Sequence, residues 1–175
     1  NMFKIYGTLG NTKLAFESDG AETMDFLKEP DIGVKNNSQY TGEGEETDVS
    51  GFAVRGDDGE VQIVIYSHCN DRDKKEEQQI SLSVEGLEKE CVTVSHHRID
   101  AEHSNPYAEW LRQGQPLYPE GEQYAAIKAR DGLEELCGKQ EARTEDGRLE
   151  LNFTMPAHGV SYIRIQGADY EGFKR

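Results

Sequence analysis

Period-two alternation of apolar and polar residues, broken every eight to twelve residues by turn chemistry, constrains this chain more than any other feature. It runs through "TKLAF" (12–16), "VSGFAVR" (49–55), "EVQIVIY" (60–66), "QISLSV" (79–84), "CVTVSHHRI" (91–99), "RLELNFTM" (148–155) and "GVSYIRI" (159–165). Alternate side chains of a strand leave on opposite faces, so each run has one apolar face to bury. Seven or so short strands of this kind predict a mostly β fold, an antiparallel β-sandwich. "GDDG" (56–59) reads as a hairpin turn, "EGLEKE" (85–90) joins another pair of runs, and "EDG" (145–147) precedes a strand. Residues 28–48 are polar and Gly-rich and read as a surface loop.

Two segments break the period and predict short helices inserted between strands. Asn105 before Pro106 is a helix start: the amide side chain caps free N–H groups and proline supplies the first helical φ. Tyr107, Trp110 and Leu111 then share one face, and Gly114 with Pro116 stops the helix. Pro119 to Arg130 reads as the second helix, with Tyr124 and Ile127 on one face. At the N-terminus Phe3, Tyr6 and Gly10 recur at helical spacing beside Met2 and Leu9, giving one or two turns that nothing else in the chain obviously needs.

Charge narrows the function classes. Lys and Arg number 19 against 34 Asp and Glu, a net charge of −15. Such a surface repels phosphate backbones and anionic lipid, so neither nucleic acid nor a membrane is an expected partner. The amphipathic opening "NMFKIYG" reads as the start of a fragment. Cys69, Cys91 and Cys137 are widely spaced, without a CxxC pair, and are expected as reduced thiols in or near the core of a cytoplasmic protein.

Residues 95–116 hold three of the five histidines, the single tryptophan and two of the five prolines. His96 and His97 are adjacent on a strand and should face opposite ways, so they cannot share a metal while the strand persists. A metal would need a sharp loop returning His103 toward His97; otherwise the histidines hydrogen-bond in a turn. GxSxG and Gly-rich phosphate loops do not occur, and no metal, cofactor or catalytic residue is assigned. Phe52, Tyr66, Phe153 and Tyr162 fall on strand faces and are expected in the core, whereas Tyr107, Trp110, Tyr118 and Tyr124 gather in the insert as a platform or docking patch.

The series His97-Arg98-Ile99-Asp100, His103-Ser104-Asn105, Tyr107, Trp110, Gly114-x-Pro116, Pro119, Gln123 and Tyr124 resembles a segment of the C-terminal sandwich domain of glycoside hydrolase family 39, the β-xylosidase family. By that resemblance "MFKIYGTLG" is similar to the helix closing the catalytic barrel, "KLAFESDGA" to the strand entering the small domain, and "LELNFTMPAHGVSYIRI" to its closing hairpin. The resemblance implies 1–11 as a remnant of the last barrel helix or a linker, 12–167 as a sandwich accessory domain with a helical insert at about 104–131, and 168–175 as a tail.

It also implies that catalysis belongs elsewhere. Such retaining glycosidases use two barrel glutamates, the acid/base directly after an asparagine. The seven asparagines here are followed by Met2, Thr12, Asn37, Ser38, Asp71, Pro106 and Phe153. In "KEP" (28–30) Lys28 stands where the asparagine would be. The implied function is a non-catalytic accessory domain supporting a (β/α)8 barrel of the same parent chain, or assembly of a homo-oligomer. Tyr107, Trp110 and Leu111 would form the docking face, with His97, Asp100, His103 and Asn105 shaping the loop. The alternatives are a carbohydrate-binding module for xylo-oligosaccharides and a metal-stabilised interaction domain.

Overall fold

The computed structural model describes residues 1–21, 47–69, 71 and 73–167. The expected loop at 28–48 lies almost wholly outside the described residues, as do "KEP" and the 168–175 tail. The chain runs α1 (Met2–Tyr6), β1 (Thr12–Lys13), β2 (Asp48–Arg55), β3 (Val61–His68), β4 (Glu77–Val84), β5 (Cys91–Ile99), α2 (Pro106–Arg112), α3 (Gly121–Ala129), β6 (Glu134–Arg143), β7 (Leu149–Pro156) and β8 (Gly159–Gly167). Six strands form one sheet in the order β1-β2-β3-β8-β5-β6, and β4 pairs with β7 in a second. All pairings are antiparallel.

The alternation read from the sequence is what closes the core. Ala53, Ile63, Ile65, Val92, Val94, Ile163 and Ile165 of the large sheet meet Leu149 and Met155 of the small one, with Ile80, Leu82 and Phe153 packed alongside. Moving a single Leu or Ile side chain out of water contributes roughly 1.5–3 kcal/mol, so this shared face outweighs any single polar contact. Gly51 lies on β2 against β3: a Cβ there would lie 2.1 Å from the Val64 carbonyl oxygen.

Several local readings change. "TKLAF" makes only a two-residue strand: Leu14 N–H makes one more bond, to the Ala53 carbonyl at 2.9 Å, and Leu14 and Phe16 pack on the inter-sheet core. "EGLEKE" does join its two runs, carrying the chain from β4 in the small sheet to β5 in the large one, held by Leu87 N–H on the Gly147 carbonyl at 2.9 Å. β6 is a strand that alternation did not announce. Tyr66 is exposed rather than core, and Cys137 is exposed while Cys69 and Cys91 are buried.

The N-terminal turn is needed after all. The large sheet is apolar on its other face too, where Val64 and Tyr162 form a second cluster with Ile5, lined by Met2, Leu9, Phe52, Ile99, Leu133 and Val160. Ile5 is 0% exposed, whereas Phe3 and Tyr6 point outward. The buried residue of α1 is thus the aliphatic one between the aromatics.

Candidate functional site

The helical insert leaves the sheet between β5 and β6, and its root is a polar cluster built by the end of β5. His96 and Arg98 lie on the inner face of the large sheet, and His97 on the outer one, as adjacency on a strand requires. Arg98 is buried and fully engaged: Nε donates to Ser161 Oγ at 3.1 Å, Nη2 to the Thr154 carbonyl at 2.8 Å, and Nη1 lies 3.6 Å from Asp100 Oδ2. Burial pulls the guanidinium below its ordinary pKa, opposed by the Asp100 charge.

Asp100 organises the loop that follows. Oδ1 accepts from the backbone N–H of Glu102 at 2.8 Å and of His103 at 2.7 Å, and His103 Nδ1 sits 2.9 Å from the same oxygen. Burial alone would raise this carboxyl, but those hydrogen bonds outweigh it and hold it below the usual carboxylate range. Ser104, forced to a φ of 54°, donates to the Arg98 carbonyl at 2.6 Å and accepts from Glu134 N–H at 2.9 Å, so one hydroxyl clasps the two ends of the insert. Asn105 Oδ1 caps α2 by accepting from Ala108 N–H at 3.1 Å.

Asp100, His103 and Asn105 therefore converge on one loop, and His97 stands apart. Its ring stacks on Tyr162 at 5.9 Å across the sheet, with Nε2 3.9 Å from Glu135 Oε1. His103 turns to Asp100 instead of returning toward His97. The described residues contain no group of three or more His, Cys, Asp or Glu placed to hold a metal ion.

His96 and Ser161 resemble a base and a nucleophile, with Nε2 2.9 Å from Oγ. Ser161 is 0% exposed and shares its oxygen with Arg98, so no substrate can reach it. Burial, reinforced by the Arg98 charge, lowers the His96 pKa to about 4, and its ring meets Phe153 edge-on at 4.7 Å. The pair is a buried structural contact.

The insert itself is open. Neither α2 nor α3 buries a residue, and the two pack on each other. Tyr107 is 62% exposed and Leu111 40%, with Leu117, Tyr118 and Tyr124 also exposed. Trp110 is half-buried, stacked on Tyr107 at 5.6 Å, and donates from Nε1 to the Pro116 carbonyl at 3.0 Å. Sequence reasoning missed Arg98, Ser104 and Ser161 as organisers of this root. The signal was there for Arg98, a charged residue in phase with the inward Val92 and Val94.

Residues 58–136 match the model of glycosyl hydrolases family 39. The resemblance at 97–124 falls inside that span. Among solved structures, the fold is similar to the bacterial orthologue of human α-L-iduronidase (TM-score 0.61, 17% identity, 71% of this chain and 23% of that one). It is also similar to the family 39 enzyme from Xanthomonas axonopodis pv. citri (TM-score 0.58, 10% identity, 67% and 26%). A third is a monomeric β-xylosidase from Caulobacter crescentus CB15 (TM-score 0.58, 16% identity, 68% and 26%). The matched region thus spans about a quarter of the length of these enzymes. Residues 58–136 are thus similar to the glycosyl hydrolases of family 39, on a fold similar to part of such enzymes.

Proposed function

We propose that this chain is a non-catalytic accessory domain of a β-xylosidase-like glycoside hydrolase, supporting a catalytic (β/α)8 barrel or the assembly of subunits. The observation that carries the reading is the insert. Two helices that bury no residue of their own are rooted by Arg98, Asp100 and Ser104; Tyr107 and Leu111 of α2 are exposed, as are Leu117 and Tyr118 between the helices. Exposed apolar surface of this kind marks interaction sites. Seven asparagines, none of which precedes a glutamate, support a role outside the chemistry. A cytoplasmic home for the parent enzyme is part of the same proposal, from the three unpaired thiols.

Sugar binding is the weaker reading at Trp110. A pyranose platform needs a free aromatic face, and here Tyr107 stacks on the indole while Pro116 takes its N–H. Two measurements separate the readings. Hydrogen exchange across 104–131 should slow when the domain is joined to the catalytic part of its enzyme, and calorimetry with xylo-oligosaccharides should show no heat of binding. Saturable heat, with exchange in the insert slowed by the sugar, would favour the binding module.

A further inference from the structure

On the outer face of the large sheet a single side chain does the work of a neighbouring strand. Gln62 is 4% exposed, on β3 between Val54 and Arg164. Its Oε1 accepts from Gly10 N–H at 2.7 Å, and its Nε2 donates to the Thr8 carbonyl at 3.0 Å and to Glu60 Oε2 at 2.7 Å. Glu60 is itself buried, and its other oxygen takes Arg164 Nη2 at 2.7 Å, a bond that raises the guanidinium above its usual pKa. A buried amide makes such bonds at little net gain, but leaving them unmade costs the desolvation of every group involved.

Further contacts converge on the same short stretch. Thr8 Oγ1 lies 3.2 Å from Tyr162 Oη and donates to the Ile5 carbonyl at 2.9 Å. Gly10 passes so close to the end of β2 that a Cβ would lie 2.3 Å from the Arg55 carbonyl oxygen. Ile5 is 0% exposed against Val64 and Tyr162.

We propose that Gln62 is a clamp, a positioning residue that reads Thr8 and Gly10 as a one-bridge strand and makes residues 1–10 and the six-stranded sheet one rigid body. α1 is then a fixed docking element and Thr8–Gly10 a set elbow, not a tether. The consequence for an enzyme, that the elbow sets the angle of whatever α1 is joined to, rests on the accessory-domain reading; the clamp itself does not.

The test is residue-resolved hydrogen exchange on the 175-residue chain, on the wild type, Gln62→Ala and the similarly sized, apolar Gln62→Met. The wild-type Gly10 amide is expected to be protected. Both variants should speed its exchange by about tenfold or more, while the amides of β5 and β8 keep theirs. Three results would overturn the clamp: a Gly10 amide unprotected in the wild type, Gly10 protection unchanged in Gln62→Met, or uniform loss across β3, β5 and β8 in both variants. The dependent claim is read separately. In the longer enzyme, a spin-label distance between the sheet and the catalytic part should broaden in Gln62→Met, and an unchanged distribution would sink the accessory reading of the elbow while leaving the clamp standing.

Discussion

The Arg98 guanidinium on β5 reaches across the inter-sheet space to the Thr154 carbonyl on β7, 2.8 Å away, and so joins the two sheets. Removing it takes the guanidinium donor from the Thr154 carbonyl and the charge partner from buried Asp100, and leaves the Ser161 hydroxyl to His96. Arg98→Ala should cost roughly 2–4 kcal/mol of unfolding free energy in urea, as for a buried charge network deprived of one member. A loss below about 0.5 kcal/mol, the range of an ordinary surface change, would show that the network is ornamental.

The same root makes stability depend on acidity. His96 titrates near 4 in the folded protein and near 6.5 when unfolded. Above 6.5 both forms are neutral and the term is flat. Between 6.5 and 4 the unfolded chain binds the proton first, so stability falls as pH falls, by up to roughly 3 kcal/mol in all. Asp100, whose folded pKa is depressed, adds a loss as pH falls below the ordinary carboxylate value. Urea midpoints at pH 7.5, 5.5 and 4.5 should therefore descend, and His96→Gln should flatten the upper part of that descent. An equal slope in the variant would contradict the assignment.

Gly51 tests the packing of the large sheet. Its Cβ would meet the Val64 carbonyl oxygen at 2.1 Å, backbone against backbone, with no flexible side chain to yield. Gly51→Ala should cost about 2 kcal/mol or more, despite alanine's usual advantage over glycine in a strand. A stabilised variant in a thermal melt would show that β2 and β3 sit farther apart.

The thiols offer a simple count. Cys69 and Cys91 are buried, Cys137 is exposed, and none is paired. An aromatic disulfide reagent should titrate one thiol quickly and two more only after denaturation, and reductant should leave the melting temperature in place. A fall of many degrees on reduction would reveal a structural disulfide, whose loss typically costs ~2–5 kcal/mol.

What could be read from the sequence tracks how local its cause is. The opposed faces of His96 and His97, the Asn105 cap and the hairpin at 56–59 are each set by neighbours a few residues away. β6 escaped because it is an edge strand with no fully buried residue, so "EELCGKQEAR" offers only Leu136 and Ala142 as half-buried apolar side chains. Ile5 escaped because its burial is created by Val64 and Tyr162, far along the chain, while the aromatics on either side drew attention. The Gln62 clamp spans 52 residues to Gly10, and no spacing rule reaches that far.

The most direct test of the accessory role is hydrolysis by the isolated chain. Incubated with an aryl β-xyloside and related aryl glycosides, the repurified protein should release no phenol above the buffer rate. Turnover that survives repurification and is abolished by a point substitution of a carboxylate in this chain would place the chemistry here and contradict the account.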